Sequence, residues 1–310
     1  MTEYGVRSRP VWRAVNGILL LDKPIGLSSN EALQRVRRAL SAKKAGHTGS
    51  LDPLASGLLP LCFGEATKVA GLLLDADKTY QATVALGTRT STGDAEGSVV
   101  EQVAVPHLDD ETVARAMTAF MGDQQQIPPM FSALKRDGQP LYKLARQGIE
   151  VTREARAIRI DQLRLLELRD GHLSFEVACS KGTYVRTLAE DLAVALGTVG
   201  HLVALRRTAL GRGFDGRVMH RLDAIEAAAN EPGQLERWLI PADVALISWP
   251  AVTLDEFEAR SFTQGQAVSL AAPADARVRV YGPRERFIGL GQSDPLGVEV
   301  RPVRLWVESD

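Results

Sequence analysis

The sequence predicts a mixed α/β (α+β) fold in which a larger domain is followed by a smaller, β-rich one, and three observations carry that expectation. Helical and strand periods alternate irregularly, which disfavours a regular βαβ array and with it a doubly wound nucleotide-binding sheet. The 310 residues exceed one ordinary core, because cores stop growing at about 250 to 300 residues. Beyond Pro250 the periods shorten into small β segments separated by Gly, Pro and Asp. The boundaries read as 10–245 for the larger domain and 250–310 for the smaller.

The elements can be justified in order along the chain. Ser28 and Glu31 make a capping box, and Leu33, Val36 and Leu40 follow at helical spacing, so Asn30 to Leu40 is expected as an amphipathic helix with an arginine-rich outer face. The next stretch, GHTGSLDPLASGLLPLCFGEATK, holds four glycines and two prolines yet stays apolar. Neither a regular helix nor a central strand tolerates that composition well, so it reads as a structured loop. Tyr80, Ala82, Val84 and Leu86 alternate with Thr79, Gln81, Thr83 and Ala85 as a strand with two distinct faces, and Leu173, Phe175, Val177 and Cys179 repeat the pattern. Between them, residues 124–156 mix prolines with a turn at Asp137-Gly138 and a short helical run near Leu141 to Arg146, the composition of an insertion. Thr183 to Leu196 reads as a helix that buries Val185, Leu188, Leu192 and Leu196 and stops at Gly197, with Arg186 one residue off the buried stripe. Ala224 to Trp249 is helical and polar in patches, and no internal repeat or low-complexity segment is present.

Composition narrows the function. With 45% hydrophobic and 24% charged residues the chain has the make-up of a soluble globular protein. Its longest apolar runs fall far short of the roughly 20 residues that span a bilayer. The opening MTEYGVRSRPVWRAV lacks the apolar core of a secretory signal, so a cytoplasmic protein is expected. Cys62 and Cys179 are too few for a disulfide scaffold or a four-cysteine zinc site, and no metal is expected. The net charge of −1 conceals an uneven distribution. From Arg7 to His47 there are nine cations against two acids, from Gln124 to Ile160 seven against three, and a third basic block runs from Arg206 to Arg221. The acids gather at Asp94 to Glu111 and after Asp223, so one face could meet a polyanion while another stays acidic. Solvated helix faces are the plainer explanation of any single block.

Asp52 is the most suspicious acid, because it stands in the apolar, glycine-rich loop and Pro53 restricts its backbone to the extended region. A preset carboxylate suits catalysis; an Asp-Pro turn that caps neighbouring amides is the competing explanation. His47, five residues earlier, is equally suited to phosphate, to a base or to a backbone carbonyl. There is no HExxH, GxSxG or P-loop spacing, which removes zinc hydrolysis, serine nucleophile chemistry and ATP binding.

Seven separated motifs give the chain a specific resemblance: DKPIGLSSNEAL at 22–33, AGHTGSLDPLASGLLP at 45–60, GEATK at 64–68, KTYQATVALGTRTSTGDAEG at 78–97, IPPMFSALKRDGQPLYKLARQGIEV at 127–151, CSKGTYVRTLAEDL at 179–192 and HLVALRRT at 201–208. Together they resemble the bacterial tRNA pseudouridine synthases of the TruB class, which isomerise uridine 55 in the T loop. A weaker match at 286–307 resembles the family's C-terminal PUA domain. The resemblance implies a pseudouridine-synthase-like catalytic domain with a mixed sheet, a PUA-like RNA-binding domain, and a tRNA T stem-loop as partner. It also implies no cofactor, no protein partner and a monomer.

Carried onto this sequence, the resemblance places the catalytic aspartate on Asp52, the base-stacking tyrosine on Tyr80 and the active-site arginine on Arg186. Lys23 and His47 match positions at the active-site loop and its RNA contact, Leu205 an apolar wall of the uracil pocket, and Asp94 an acid that could neutralise Arg186. The insertion then offers Lys135, Arg136, Lys143 and Arg146 to RNA phosphates. Each assignment has a plainer rival. Tyr80 alone reads as a core or rim aromatic, Arg186 as a partner of Glu190 one turn on, and Asp94 as an exposed turn. One carboxylate suffices for the implied reaction, either attacking ribose C1′ or removing the 2′ proton, while a hydrolytic glycosidase usually shows two and admits water. A non-catalytic tRNA-binding or folding protein and an RNA N-glycosidase are the alternatives.

Overall fold

The computed structural model describes residues 11–306 except Pro232. The N-terminal arginines at 7 and 9 and the end of the chain after Trp306 therefore lie outside the described residues. The first half runs β1 (Gly17–Lys23), α1 (Ser29–Ala39), β2 (Ala45–His47), β3 (Ala55–Phe63), α2 (Thr67–Ala70), β4 (Lys78–Leu86), β5 (Thr88–Thr90), β6 (Val99–Gln102), α3 (Asp110–Thr118) and β7 (Gly122–Gln126). The insertion holds β8 (Lys135–Arg136), β9 (Gln139–Pro140) and α4 (Leu141–Arg146). Then come β10 (Arg156–Arg169), β11 (His172–Cys179), α5 (Val185–Ala195), β12 (Gly200–Leu210), β13 (His220–Arg221) and α6 (Leu222–Ala228).

Nine strands join one mixed sheet in the order β13-β1-β3-β12-β4-β11-β10-β7, with β2 also on β3. The β3–β12 and β1–β13 pairs are parallel and the rest antiparallel. The capping box forms as expected, with Ser28 accepting from the Glu31 amide and Glu31 accepting from the Ser28 amide. Alternation in β4 and β11 buries Tyr80, Ala82, Val84, Leu173, Phe175 and Val177 in one core with the inner faces of α1 and α5. Helix α5 begins at Val185, two residues later than expected, and ends before Gly197.

The expectation of a loop throughout residues 46–68 is wrong, because Ala55–Phe63 is a strand in the middle of the sheet. Two features reconcile it with its composition. Gly57 has φ +97°, and a Cβ there would lie 2.3 Å from the Arg207 carbonyl oxygen, so the close approach of β12 requires glycine. Pro60 stands opposite Leu20 of β1, and on its other edge falls between the stretch paired to β12 (Ala55–Gly57) and that paired to β2 (Leu61–Phe63), a gap in which a missing N–H interrupts no ladder.

The smaller unit holds β14 (Ala251–Thr253), α7 (Glu256–Thr263), β15 (Val268–Ser269), β16 (Arg277–Gly282), β17 (Arg286–Ser293) and β18 (Glu299–Leu305), the strands forming one sheet in the order β14-β16-β17-β18-β15. It has its own core of Val252, Leu254, Phe262, Val278, Val280, Ile288 and Val300. Leu290 instead joins Ile18, Leu58, Cys62, Val69 and Leu210 on the outer face of the large sheet. Lys68 and Arg304 tie the two units further: Lys68 Nζ donates to Leu305 O at 2.8 Å and Arg304 Nη1 to Lys68 O at 2.9 Å. Among the described residues no helix is long and apolar enough to cross a membrane.

Candidate active site

The loop before β3 is held from three sides before any substrate contact is considered. Ser29 Oγ accepts from the Leu51 amide at 2.7 Å and donates to its carbonyl at 3.1 Å. The Gly26 amide donates to Pro53 O and the Ala55 amide to Asp52 O. Asp52 is thereby fixed in the backbone while its side chain stays 48% exposed.

Helix α5 supplies the counterpart. Arg186 is only 8% exposed and spans two carboxylates, with Nη2 3.1 Å from Asp52 Oδ2 and Nη1 3.3 Å from Asp94 Oδ2. Its two terminal nitrogens also donate to backbone: Nη1 to Thr92 O at 3.0 Å and Nη2 to Phe131 O at 2.6 Å. Phe131 belongs to the insertion, whose root is bolted to the start of α5 by Gln126, accepting from the Tyr184 amide at 2.8 Å and donating to its carbonyl at 3.1 Å. The pairing of Arg186 with Asp52 thus replaces the plainer expectation of a bond to Glu190.

Asp94 is not an exposed turn: it is buried, and its Oδ1 accepts from Thr92 Oγ1 at 2.6 Å and the Glu96 amide at 3.1 Å. The site therefore contains two carboxylates across one guanidinium, Asp94 being the acid that the resemblance set against Arg186. They differ in access, since only Asp52 faces solvent. Tyr80 is buried at the edge of the core, and burial raises its phenol above the ordinary range while Arg207 opposes that rise. Leu205 is half-buried in β12, opposite Ala82 and Ala55.

Lys23 is fully buried, with Nζ donating to Leu27 O at 2.6 Å and Pro24 O at 2.9 Å, which shapes the turn that Gly26 uses to hold Pro53. Burial pushes its ammonium down to about 8 against the pull of Asp52. His47 lies in β2, its Nδ1 buried without a hydrogen-bond partner among the described residues, and burial and Arg207 hold it below the ordinary range. Both thiols are inert, Cys62 pushed up to about 12 and Cys179 to about 11 by burial. No group of three His, Cys, Asp or Glu that could hold a metal occurs among the described residues.

The basic blocks are less uniform than their sums suggest. Arg35 pairs with Glu226, Arg13 with Glu236 and Arg206 with Asp22, while Arg37 donates to the Ala42 and Lys43 carbonyls. Those charges are largely used inside the protein. Lys135, Arg136, Lys143 and Arg146 are all exposed, on a hairpin whose Asp137 and Gly138 both have positive φ and on the short helix after it. Arg207 and Lys78 were not singled out from the sequence, although Arg207 stands two residues from Leu205 on the same strand face, which was a usable signal.

Family models match almost all of the larger unit and the smaller one: "TruB family pseudouridylate synthase (N terminal domain)" at residues 37–185, "tRNA pseudouridylate synthase B C-terminal domain" at 186–247 and "Pseudouridine synthase II TruB, C-terminal" at 250–306. Similar curated proteins named tRNA pseudouridine synthase B come from Nitrosococcus oceani, 50% identical over 94% of this chain and 94% of the relative, and from Dechloromonas aromatica, 52% identical over 91% and 92%. The Burkholderia mallei protein of the same name is 51% identical over 94% and 95%. Among solved structures, a chain of a Cbf5-Nop10-Gar1 complex superposes with a TM-score of 0.73 at 24% identity, over 99% of this chain and 92% of that one, which shows the shared fold. With this architecture and half its residues in common with proteins of that name over nearly their whole length, the chain belongs to the TruB family of pseudouridine synthases.

Proposed function

We propose that the protein isomerises uridine 55 in the T loop of tRNA to pseudouridine, with Asp52 as the catalytic residue. The observation that carries the reading is the Asp52 carboxylate, backbone-fixed, half-exposed and paired on one oxygen by a buried Arg186. Arg186 keeps that carboxylate aimed, and Asp94 gives the buried Arg186 a second counter-charge. Asp94 is too enclosed to activate water, so the second carboxylate does not turn the site into a hydrolase.

The target base leaves the folded T loop at a cost of a few kcal/mol, offset by phosphate contacts from the insertion's Lys135, Arg136, Lys143 and Arg146. Tyr80 gives the flipped uracil a stacking face and Leu205 an apolar wall, while Lys23 and His47 support the loop and its RNA contact. Asp52 then attacks C1′ and is later displaced by the base, or removes the 2′ proton to leave a glycal and returns it; in both routes the C1′–N1 bond breaks, the retained base turns, C5 bonds to C1′, and the base loses its C5 proton and takes one up at N1. The reaction needs no redox change and no external energy, so no cofactor enters it. Residues 10–245 are the catalytic unit, 124–156 its RNA-binding insertion and 250–310 a PUA-like RNA-binding domain, in a cytoplasmic monomer that needs no protein partner.

The test is purified protein, without added metal or nucleotide, on an unmodified tRNA transcript. One T-loop uridine should become pseudouridine with the RNA mass unchanged. Release of free uracil, or a strict metal requirement, overturns the proposal.

A further inference from the structure

Arg207 is the largest fully buried side chain among the described residues, 1% exposed, and it forms no ion pair there. Burying a guanidinium without a carboxylate is costly, and an apolar side chain of similar volume would fill the space without that cost. Packing alone therefore does not account for it. Neighbouring basic groups add to that cost: burial first, and the Arg207 charge after it, push Lys23 on β1, His47 on β2 and Lys78 on β4 below their ordinary ranges.

What Arg207 does have is geometry. In the sheet it stands directly opposite Tyr80 of β4 on one side and Gly57 of β3 on the other. Its Nε donates to Leu58 O at 2.7 Å and Nη2 reaches Gly49 O at 3.5 Å, while across the β4–β12 pairing its guanidinium lies near enough to the Tyr80 phenol for each group to bear on the other's titration. Gly49 lies in the loop that carries Asp52, Leu58 lies in the strand after that loop, and Tyr80 is the stacking candidate. A planar five-donor fork fixes its own angle against two such carbonyls and so holds one face toward the phenol; an ammonium, a point charge on a flexible stem, does not.

We propose that Arg207 is a positioning residue, which locks the Tyr80 ring and the Asp52 loop into one unit so that the base-stacking face and the carboxylate keep their relative placement. The inference rests on the reading of Asp52 and Tyr80 given above. Its effect belongs in turnover and not in tRNA affinity, because Arg207 is itself enclosed and acts only through Tyr80 and the Asp52 loop.

The experiment compares Arg207→Lys, Arg207→Met and Asp52→Asn on saturating tRNA, with melting temperatures and tRNA Kd measured for each. Arg207→Lys should fold and should lose kcat by about tenfold or more with KM and Kd within about twofold. In protein carrying 3-fluorotyrosine, the Tyr80 fluorine resonance, identified by its absence in Tyr80→Phe, should shift or broaden in the Lys variant. Arg207→Met should lose at least as much turnover; where it does not fold, the Lys variant decides. Wild-type kcat in folded Arg207→Lys, an unmoved Tyr80 resonance, or a loss confined to KM each overturns the inference. Turnover retained by Asp52→Asn would instead bring down the reading it rests on.

Discussion

Arg186 and Arg136 both belong to segments that the proposed reaction needs, yet their surroundings are opposite. Arg186 is enclosed, and its donors are divided among Asp52, Asp94, Thr92 and Phe131, which come from three separated stretches of chain. Arg136 is exposed on a two-residue strand, with one bond to Thr152 O and a 4.0 Å approach to Asp137. A cation whose partners are all supplied by the fold can orient a neighbour but has little left for a phosphate. A cation in water with few partners can meet a phosphate but orients nothing. The contrast divides the positive charge into a part that serves chemistry and a part that serves affinity.

The sharpest way to break that division is at Asp52. Asp52→Asn keeps the shape of the side chain and removes its charge, so turnover should fall by about 10³-fold or more, in the range that a positioned acid–base or nucleophilic group supplies. Binding of tRNA should stay within about twofold, since the exposed cations are untouched. Single-turnover rates and a filter-binding Kd measure both, and turnover near wild type removes Asp52 from the centre. A smaller loss, about 10²-fold in kcat, is expected for Arg186→Met, which frees Asp52 and leaves Asp94 buried without its counter-charge. Tyr80→Ala should behave alike through loss of the stacking face. A loss mainly in affinity for either variant would move that residue to the RNA-contact side of the comparison.

The same contrast governs what could be read without coordinates. Helix α1 with its capping box, the alternation in β4 and β11 and the buried stripe of α5 were legible because each has one buried and one open face. Strand β3 was not, since Leu59, Leu61 and Phe63 fill one core while Leu58 and Cys62 fill the other, and a strand covered on both faces loses its alternation. Helix α7 was hidden in a region whose short periods favoured strands, although Asp255 and Glu258 form a capping box. Of the candidate site, Asp52 stood out from its apolar, glycine-rich loop and the proline after it, while its catalytic role and the site positions of Tyr80 and Arg186 came from motif resemblance. That Arg186 spans both Asp52 and Asp94 depends on chain segments tens of residues apart, which local spacing does not encode. The sums over basic blocks misled for a related reason: Arg13, Arg35 and Arg206 are answered by Glu236, Glu226 and Asp22 from far along the chain.

A proton-linkage measurement sharpens the comparison from the enclosed side. Burial lowers the Lys23 ammonium from 10.5 to about 8 in the folded protein. Below about 8 both the folded and unfolded chains hold the proton, and between about 8 and 10.5 only the unfolded chain does, so stability gains from Lys23 as pH rises through that window. Denaturant titrations at pH 8 and pH 10 should therefore show wild type gaining stability relative to Lys23→Met. Parallel curves for wild type and Lys23→Met would mean that the Lys23 ammonium is solvated in the folded state.

The smallest effect, and the one that tests the other side of the division, concerns the insertion. Lys135 and Arg136 sit at the tip of a hairpin that departs from β7, whose end is fastened to α5 through Gln126. The base of the insertion is thus tied to the chemistry through Phe131 and Arg186, while its tip is free to reach outward. Neutralising both residues, as Lys135→Gln with Arg136→Gln, should weaken tRNA binding and flatten the dependence of log Kd on log salt by up to about two contacts' worth of slope. The rate on fully bound tRNA should stay close to wild type, because Phe131 O and Gln126 keep their places. Arg136 already gives one donor to Thr152 O, so its share of the slope should be smaller than that of Lys135, which single variants would separate. An unchanged salt slope in the double variant would mean these cations are only solvated, and a fall in the rate on bound tRNA would mean that tip and centre are not separate at all.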